Sequence, residues 1–138
     1  MSDDTGGAGL DILLIEDDSA LAEMYRIKLA AEGHRVAIAT DGPSGLRAAL
    51  ERPPRLLLLD IRLPGFDGLE LLARLRRDPR AGRVPVIVLS NFGEPDVIAE
   101  GTALGALAHL IKSQTTPGSL ADTIRELVPD LAAGTAST

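Results

Sequence analysis

The stretch LLLLDIRLPGFDG, residues 56–68, decides how the rest of the chain is interpreted. Its four leucines are apolar on both faces, which is typical of a strand covered by helices on each side. The run ends at Asp60, and a loop is predicted to follow, because Pro64 fixes φ while Gly65 and Gly68 permit tight turning. A buried strand that ends in one carboxylate is therefore the starting point for fold and function.

Short apolar runs alternate along the chain with longer segments of helical character. The run VPVIVL, residues 84–89, is apolar on both faces like the four leucines. Strict alternation of buried strands and helices indicates a parallel sheet with right-handed crossovers. We therefore predict an α/β fold: a doubly wound, five-stranded parallel sheet, (βα)₅, in three layers. The strand candidates are Leu10–Ile15, Arg35–Ala39, Arg55–Leu59, Val84–Leu89 and Leu107–Ile111.

Helix-start signals precede each helical segment, because Ser, Thr and Asp cap helix N-termini and proline fits the first turn. The signals, in chain order, are Asp18 or Ser19, Pro43 after Asp41, Asp67 with Glu70, Pro95, and Thr116 with Pro117. We interpret Asp18 and Ser19 as caps rather than ligands. The last helix is predicted to bury a stripe at helical spacing, formed by Leu120, Ile124, Leu127, Val128 and Leu131.

Two further segments have a plain and a functional interpretation. Five arginines resemble a basic patch, but we favour the solvated face and end of the third helix, where cations complement the helix dipole. They are Arg74, Arg76, Arg77, Arg80 and Arg83. Residues 94–105 form a poor helix by composition, with Pro95 and Gly101, which is compatible with a segment of low stability that shifts between arrangements and equally with an ordinary short helix.

Composition restricts the classes of function. The length of 138 residues suits one domain, predicted at 9–131 between disordered tails at 1–8 and 132–138. A net charge of −6 disfavours direct nucleic-acid binding, and the absence of cysteine excludes disulfides and thiolate chemistry. No apolar run approaches about 20 residues, and the N-terminus lacks the features of a secretion signal. We expect a cytoplasmic protein without membrane contact.

Polar side chains follow four of the predicted strands, at the point where each strand ends. In open α/β sheets, ligands bind at the carboxyl ends of the strands. If the strands are parallel neighbours, acids, a hydroxyl and an ammonium gather at one edge, and burying them costs stability unless a ligand offsets the cost. The residues are Glu16, Asp17 and Asp18 after the first strand, Asp60 after the third, Ser90 and Asn91 after the fourth, and Lys112 after the fifth.

These residue types suit a divalent cation and a phosphoryl group. Two carboxylates about 5 Å apart repel by roughly 3 kcal/mol at an effective dielectric of 20, and a hard cation such as Mg²⁺ removes that repulsion. Two roles are open to Asp60, those of metal ligand and of nucleophile forming an acyl phosphate. Ser90 can donate to one phosphoryl oxygen, and Lys112 can pair with another.

Four runs, in this order, resemble the receiver domain of bacterial two-component response regulators. They are ILLIEDD (12–18), LLLLDIRLPGFDG (56–68), VPVIVLSN (84–91) and HLIK (109–112). The intervals fit the family as well, with 43 residues from Asp17 to Asp60, 30 from Asp60 to Ser90 and 52 from Asp60 to Lys112. The resemblance covers about residues 9–131.

The resemblance implies a role for each matching position. Asp60 is the implied phosphoacceptor, taking a phosphoryl group from a sensor histidine kinase or a phosphotransfer protein. The implied Mg²⁺ (or Mn²⁺) ligands are Asp17 and Asp60, with Glu16 acting largely through water, and the backbone carbonyl of Arg62. The implied phosphoryl-binding residues are Ser90, Asn91 and Lys112. Such a receiver is a signalling protein rather than an enzyme, because it catalyses only its own phosphorylation and dephosphorylation.

Two positions depart from the family pattern. In the family, Ser or Thr at the Ser90 position moves toward the phosphoryl group and an aromatic side chain on the fifth strand turns inward. Here that aromatic position is His109, which we interpret first as an amphipathic filler of a half-exposed strand position. Ser113 replaces the proline that usually follows the lysine, commonly with a cis peptide, so a different path is expected for that loop.

The implied function is to relay a signal by a change of surface on phosphorylation. The expected output surface is the fourth helix, fifth strand and fifth helix, near Asp96–Thr102, His109 and Leu120–Val128. With no second domain in this sequence, a downstream partner or self-association is expected to use that surface.

Three other functions stay open. A phosphorylation-independent binding module of the same fold is suggested by Ser113 and His109. An aspartyl-phosphate phosphohydrolase of the haloacid-dehalogenase type usually carries a second Asp two residues after the nucleophile, where this chain has Arg62. A nucleotide-binding domain needs a glycine-rich loop after the first strand, where this chain has EDDSA, residues 16–20.

Overall fold

The computed structural model describes residues 11–131, so the predicted tails at 1–8 and 132–138 lie outside the described residues. All five predicted strands are present as β1 (Ile12–Ile15), β2 (Val36–Ala39), β3 (Leu56–Asp60), β4 (Val86–Ser90) and β5 (Ala108–Ile111). The helices are α1 (Ser19–Ala31), α2 (Gly42–Glu51), α3 (Gly68–Arg76), α4 (Pro95–Ala103) and α5 (Pro117–Leu127), with a short 3₁₀ turn at Lys112–Gln114. The strands form one parallel sheet in the order β2-β1-β3-β4-β5, as the doubly wound prediction requires.

The register of the sheet brings the strand ends together. Ile15 lies opposite Leu59, and Asp60 lies opposite Leu89. Ser90 in turn lies opposite Ile111, the residue before the lysine. Strands β1, β3, β4 and β5 therefore leave the sheet at one common edge, which confirms the geometric expectation on which the sequence argument depends.

Two hydrophobic layers cover the sheet. Leu57 and Leu59 pack against α2 and α3 on one face, whereas Leu56 and Leu58 pack against α1 and α5 on the other. All four leucines are fully buried. The leucine run predicted this arrangement, because an apolar residue is needed on both sides of a strand that two helix layers cover.

Side-chain caps begin the helices where the sequence indicated. Asp18 accepts a hydrogen bond from the N–H of Leu21, so Asp18 is the cap and Ser19 is the first residue of α1. Asp67 caps α3 in the same way. Thr116 forms a reciprocal capping box with Ser119 at the start of α5. Pro43 is the second residue of α2.

The fourth helix and the fifth strand form the least buried side of the sheet. Gly101 is the one buried residue of α4, and Glu94 makes no side-chain cap for that helix. The strand β5 is an edge strand with half-buried side chains. One part of the stripe predicted for α5 is wrong, because Leu127 is 38% exposed beyond the edge of the core, while Leu120 and Ile124 are buried.

One of the five arginines is not a solvated surface residue. The guanidinium of Arg76 donates to four backbone carbonyls, those of Gly82, Val84, Leu104 and Gly105, at 2.7–3.3 Å. It lies at the end of α3 between two loops whose carbonyls lack strand partners, and a guanidinium has enough donors for all of them. The solvated interpretation is therefore wrong for Arg76. The other four arginines are exposed, as predicted.

Within residues 11–131, no helix combines the length and the apolar character that crossing a bilayer requires.

Candidate functional site

Three charged side chains meet at the carboxyl edge of the sheet. Lys112 Nζ lies 2.8 Å from Glu16 Oε1 and 2.8 Å from Asp60 Oδ2. Glu16 is 0% exposed, Asp60 is 1% exposed, and the side chain of Lys112 is 12% exposed. One ammonium therefore serves two buried carboxylates, which leaves an excess of negative charge whenever both carboxylates are ionised.

Backbone N–H groups hold the second oxygen of each buried carboxylate. The N–H of Asp18 donates to Glu16 Oε2 at 3.0 Å, and the N–H of Arg62 donates to Asp60 Oδ1 at 3.3 Å. Each donor belongs to the turn after a strand: Asp18 follows β1, which ends just before Glu16, and Arg62 follows β3, which ends at Asp60. The turns therefore fix the orientation of both carboxylates as well as the direction of the chain.

The start of α3 approaches the end of β3 so closely that a side chain does not fit there. A Cβ at Gly68 would lie 2.3 Å from the carbonyl oxygen of Asp60. The N–H of Gly68 donates to the carbonyl of Ile61 at 2.8 Å. Gly65 has a φ of +89°, which confirms the predicted tight turn, whereas Gly68 is required for close approach rather than for turning.

Burial and charge have opposite effects on the ionisation of this cluster. Burial raises the pKa of Glu16 to about 7, and the hydrogen bond from Lys112 opposes the rise. Burial alone would lower the pKa of Lys112, but its hydrogen bonds to Asp60 and Glu16 outweigh burial and raise that pKa. Lys112 is therefore charged, and a second cation beside Glu16 would favour the ionised carboxylate.

Asp17 brings a third carboxylate to the cluster from the solvent side. One oxygen each of Glu16, Asp17 and Asp60 lie within 4.8 Å of one another. The ligands of an octahedral Mg²⁺ ion, at about 2.1 Å from the metal, are about 3 to 4 Å apart. The three acids predicted as a ligand group therefore fit such an ion after a small movement of their side chains.

The remaining predicted residues lie on or just after β4 and β5. Ser90 is buried at the end of β4, and its Oγ donates to the carbonyl of Phe92 at 2.7 Å. His109 Nε2 lies 2.6 Å from the same Oγ. The ring of His109 is half-buried, as the plain interpretation expects, but it also makes a specific polar contact. Asn91 is exposed beside Phe92.

The loop after Lys112 is held by a tyrosine that sequence reasoning did not single out. The hydroxyl of Tyr25, a fully buried residue of α1, donates to the carbonyl of Thr115 at 3.2 Å. The loop forms a 3₁₀ turn that includes Ser113, and every described peptide bond is trans. A lone tyrosine at core spacing gives no signal for this role, because its partner is a backbone atom 90 residues away.

A salt bridge spans the two loops that border the site. Arg62 Nη2 lies 3.6 Å from Glu94 Oε1, and both side chains are more than half exposed. Arg62 follows Asp60 by two residues, and Glu94 immediately precedes α4. The pair therefore connects the loop after β3 with the start of the least buried helix.

This geometry agrees with the comparison to known proteins. The family model described as the response regulator receiver domain matches residues 12–125. The chain belongs to the response regulator receiver family. The matched residues include all four strand ends that form the acidic site, so membership in the family and the geometry of the edge agree on one receiver domain.

Curated relatives of this receiver are bacterial transcriptional regulators. It is 39% identical over 110 residues to the phosphate regulon transcriptional regulatory protein PhoB of Rhizobium meliloti (strain 1021), with 80% of this chain and 48% of the relative covered. It is 38% identical over 101 residues to the transcriptional regulatory protein AfsQ1 of Streptomyces coelicolor, with 73% and 44% covered. The receiver thus spans about half the length of these relatives.

Solved receiver structures cover most of the chain. A CheY-like response regulator receiver domain protein from Methanospirillum hungatei JF-1 has a TM-score of 0.81 at 25% identity, with 92% of this chain and 99% of that chain covered. The receiver domain of the sensor histidine kinase PA1611 from Pseudomonas aeruginosa PAO1, described with a magnesium ion coordinated in its active site cleft, has a TM-score of 0.78 at 26% identity, with 88% and 99% covered.

Proposed function

We propose that this receiver accepts a phosphoryl group on Asp60 from a phosphohistidine of a sensor histidine kinase or phosphotransfer protein. The observation that carries the proposal is the position of the Asp60 carboxylate, which is held by an ammonium on one side and two acidic side chains on the other. Family membership supports it, because the chain matches the receiver model across all of these residues. The receiver catalyses only its own phosphorylation and dephosphorylation.

The proposed reaction is a transfer between two nucleophiles. An oxygen of Asp60 attacks phosphorus and forms an O–P bond, while the N–P bond of the phosphohistidine breaks. The electron pair of that bond stays on the imidazole nitrogen, which takes up a proton, and an acyl phosphate remains on Asp60. Lys112, 2.8 Å from Asp60 Oδ2, is close enough to pair with a phosphoryl oxygen during the transfer.

The acidic residues are proposed to hold Mg²⁺ or Mn²⁺. A bound ion supplies positive charge that neutralises the phosphoryl oxygens and the carboxylates together. Asp17 and Asp60 are the proposed direct ligands, because their oxygens lie in one group with that of Glu16, which is shared with Lys112. The proposed further ligand is the backbone carbonyl of Arg62, and the proposed phosphoryl-binding residues are Ser90, Asn91 and Lys112.

The proposed output runs through α4, β5 and α5. A phosphoryl group brings up to two negative charges to the edge of the sheet, next to the loop that precedes α4. That helix buries little of its surface, and β5 lies at the edge of the described sheet. Both elements are therefore suited to change their packing when the charge at the site changes. A downstream protein or a second copy of the chain is the proposed partner.

Intact mass spectrometry tests the phosphoacceptor directly. The full chain incubated with acetyl phosphate and Mg²⁺ is expected to gain about 80 Da, and the isosteric Asp60→Asn variant is expected to gain nothing. Absence of the gain in the unmodified chain, with acetyl phosphate and with a panel of histidine kinases, would favour the phosphorylation-independent binding module. Turnover of a small phosphate ester that depends on Asp60 would favour the phosphohydrolase.

A matched pair of neighbouring acids tests the metal site. Asp17→Asn removes a proposed ligand charge, and we expect Mg²⁺ affinity to fall by about 10-fold or more. Asp18→Asn is the control, because asparagine caps a helix as well as aspartate and Asp18 faces α1 instead of the cluster. Equal Mg²⁺ affinity for the two variants, in a titration followed by thermal unfolding, would exclude Asp17 as a ligand.

A further inference from the structure

The hydroxyl of Ser90 makes two short polar contacts. Because it carries a single proton, it can act as the donor in only one of them. Ser90 Oγ lies 2.7 Å from the carbonyl oxygen of Phe92 and 2.6 Å from His109 Nε2. A carbonyl only accepts, so the single hydroxyl proton lies on the Phe92 contact. The His109 contact is then a hydrogen bond only if Nε2 carries a proton and donates it to Ser90. The two bonds together therefore require a protonated Nε2.

The other ring nitrogen indicates that this ring is neutral. His109 Nδ1 is buried, and within residues 11–131 no hydrogen-bond partner faces it. A protonated Nδ1 would be an unpaired charged donor at this place, whereas a bare Nδ1 carries only a lone pair. Burial lowers the pKa of His109, which agrees with a neutral ring. The geometry thus selects the Nε2–H tautomer.

The register of the sheet explains how the two side chains meet. His109 lies opposite Val88, and Ser90 lies opposite Ile111, two positions further toward the carboxyl edge. Val88 belongs to the core face that carries α2 and α3, and Ser90, two residues later, points to the same face. The ring of His109 therefore crosses diagonally to Ser90 on the face that α4 also covers.

We propose that His109 is a latch that holds the hydroxyl of Ser90 on the carbonyl of Phe92 and away from the phosphoryl site. This rests on the proposed function, in which Ser90 donates its proton to a phosphoryl group on Asp60. That donation breaks the bond to Phe92, and rotation of Oγ also gives up the bond from His109. The latch therefore opposes activation.

The latch also couples the loop before α4 to the site. Phe92 lies in that loop, two residues before Glu94 and the start of α4. As long as His109 donates to Ser90, the hydroxyl proton is directed at the Phe92 carbonyl and ties the loop to the end of β4. Release of Ser90 frees both the loop and the His109 ring at the same time.

Nitrogen-15 NMR of the full chain tests the tautomer without any variant. The chain has two histidines, so the signals of His109 are those that disappear in His109→Gln. Long-range proton–nitrogen correlations at neutral pH are expected to show a protonated Nε2 and a bare Nδ1. A protonated Nδ1, or averaged shifts for the two nitrogens, would overturn the latch.

A pair of variants tests the consequence, with beryllofluoride as the phosphoryl analogue. His109→Phe keeps an aromatic ring but removes the donor, so beryllofluoride with Mg²⁺ is expected to bind about threefold to tenfold more tightly. His109→Gln supplies an amide donor and is expected to bind it as the unmodified chain does. Mg²⁺ affinity alone is expected to be equal in all three proteins, since His109 does not touch the acids.

Two outcomes separate the latch from the function it regulates. Unchanged or weaker beryllofluoride binding by His109→Phe, in a variant that unfolds at the same temperature, would overturn the latch and leave the phosphoacceptor role intact. Failure of the unmodified chain to gain phosphoryl mass would overturn the proposed function, and the latch with it. The tautomer measurement stands even if His109→Phe does not fold.

Discussion

Lys112 Nζ lies 2.8 Å from Asp60 Oδ2 at an edge of the sheet where the carboxylate is almost fully buried. The same ammonium contacts Glu16, so one cation balances two carboxylates. Removal of one partner from a buried ion pair leaves uncompensated charge, which is far more costly than loss of an exposed pair. Loss of Lys112 alone is therefore expected to destabilise the fold, in addition to any effect on the proposed chemistry.

We expect Lys112→Met to lower the free energy of unfolding by about 3–5 kcal/mol at neutral pH. Added Mg²⁺ is expected to restore more stability in this variant than in the unmodified chain, because the ion replaces the missing positive charge. The measurement is urea unfolding with and without Mg²⁺. Lys28→Met, which removes a partly exposed pair with Glu32, is the control and is expected to cost less than about 1 kcal/mol. An equal decrease in the free energy of unfolding for Lys112→Met and Lys28→Met would contradict the prediction.

Gly68→Ala is expected to disturb the site through its backbone. The added Cβ would lie 2.3 Å from the Asp60 carbonyl oxygen and 3.0 Å from Ile61 Cα, so the end of β3 or the start of α3 must move. We expect a loss of about 1–3 kcal/mol in stability, together with weaker Mg²⁺ binding in a titration.

The control for that substitution is Gly118→Ala in the first turn of α5. The nearest atom to its Cβ is Thr116 Oγ1 at 3.9 Å, and alanine favours a helix, so stability is expected to stay equal or to rise slightly. If Gly68→Ala were as stable as this control and bound Mg²⁺ normally, close approach at Gly68 would not be what positions Asp60.

The fold and the acidic edge could be predicted because their signals are local. Four leucines before Asp60 fix a buried strand, and a cap such as Asp67 marks the start of the helix after it. The direction of each strand then determines which polar residues share an edge. Those signals need only the sequence next to each element.

The contacts that sequence reasoning missed join distant segments of the chain. In the sequence, Arg76 looks like its exposed neighbours. In the fold, its guanidinium binds the carbonyls of Gly82 and Leu104, which belong to two separate loops. The donor that His109 offers to Ser90 likewise follows from the diagonal register of β4 and β5. Neither contact leaves a pattern in the nearby sequence, because each partner is a backbone or hydroxyl group that every chain contains.

Arg76→Met is expected to loosen α4 as well as to lower stability. The substitution keeps the apolar stem but removes donors to four carbonyls, and we expect a loss of about 1–3 kcal/mol in urea unfolding. Since Leu104 and Gly105 follow α4 directly, its amides are expected to exchange hydrogen faster. Arg77→Met, on the exposed side, is the control and is expected to stay within about 0.5 kcal/mol. Unchanged exchange in α4 would mean that Arg76 does not hold this helix.

The half-buried ring of His109 makes the free energy of unfolding depend on pH, and His109→Gln is expected to remove this dependence. Burial lowers the pKa of His109, so the unfolded chain, with a histidine pKa of about 6.5, binds a proton more readily than the folded chain. The contribution of His109 to the free energy of unfolding is fully present above about pH 6.5. It is lost as the pH falls toward the lowered pKa of the folded chain.

The stability of the unmodified chain minus that of His109→Gln is therefore expected to decrease as the pH falls from 7.5 to 5.5. Glutamine does not titrate, and Glu16, whose pKa burial raises to about 7, is present in both proteins and cancels from the difference. Urea unfolding at a series of pH values measures it. A difference that stays constant, or that grows on acidification, would show that the folded chain binds the proton at least as well as the unfolded chain, and that the ring is not held neutral.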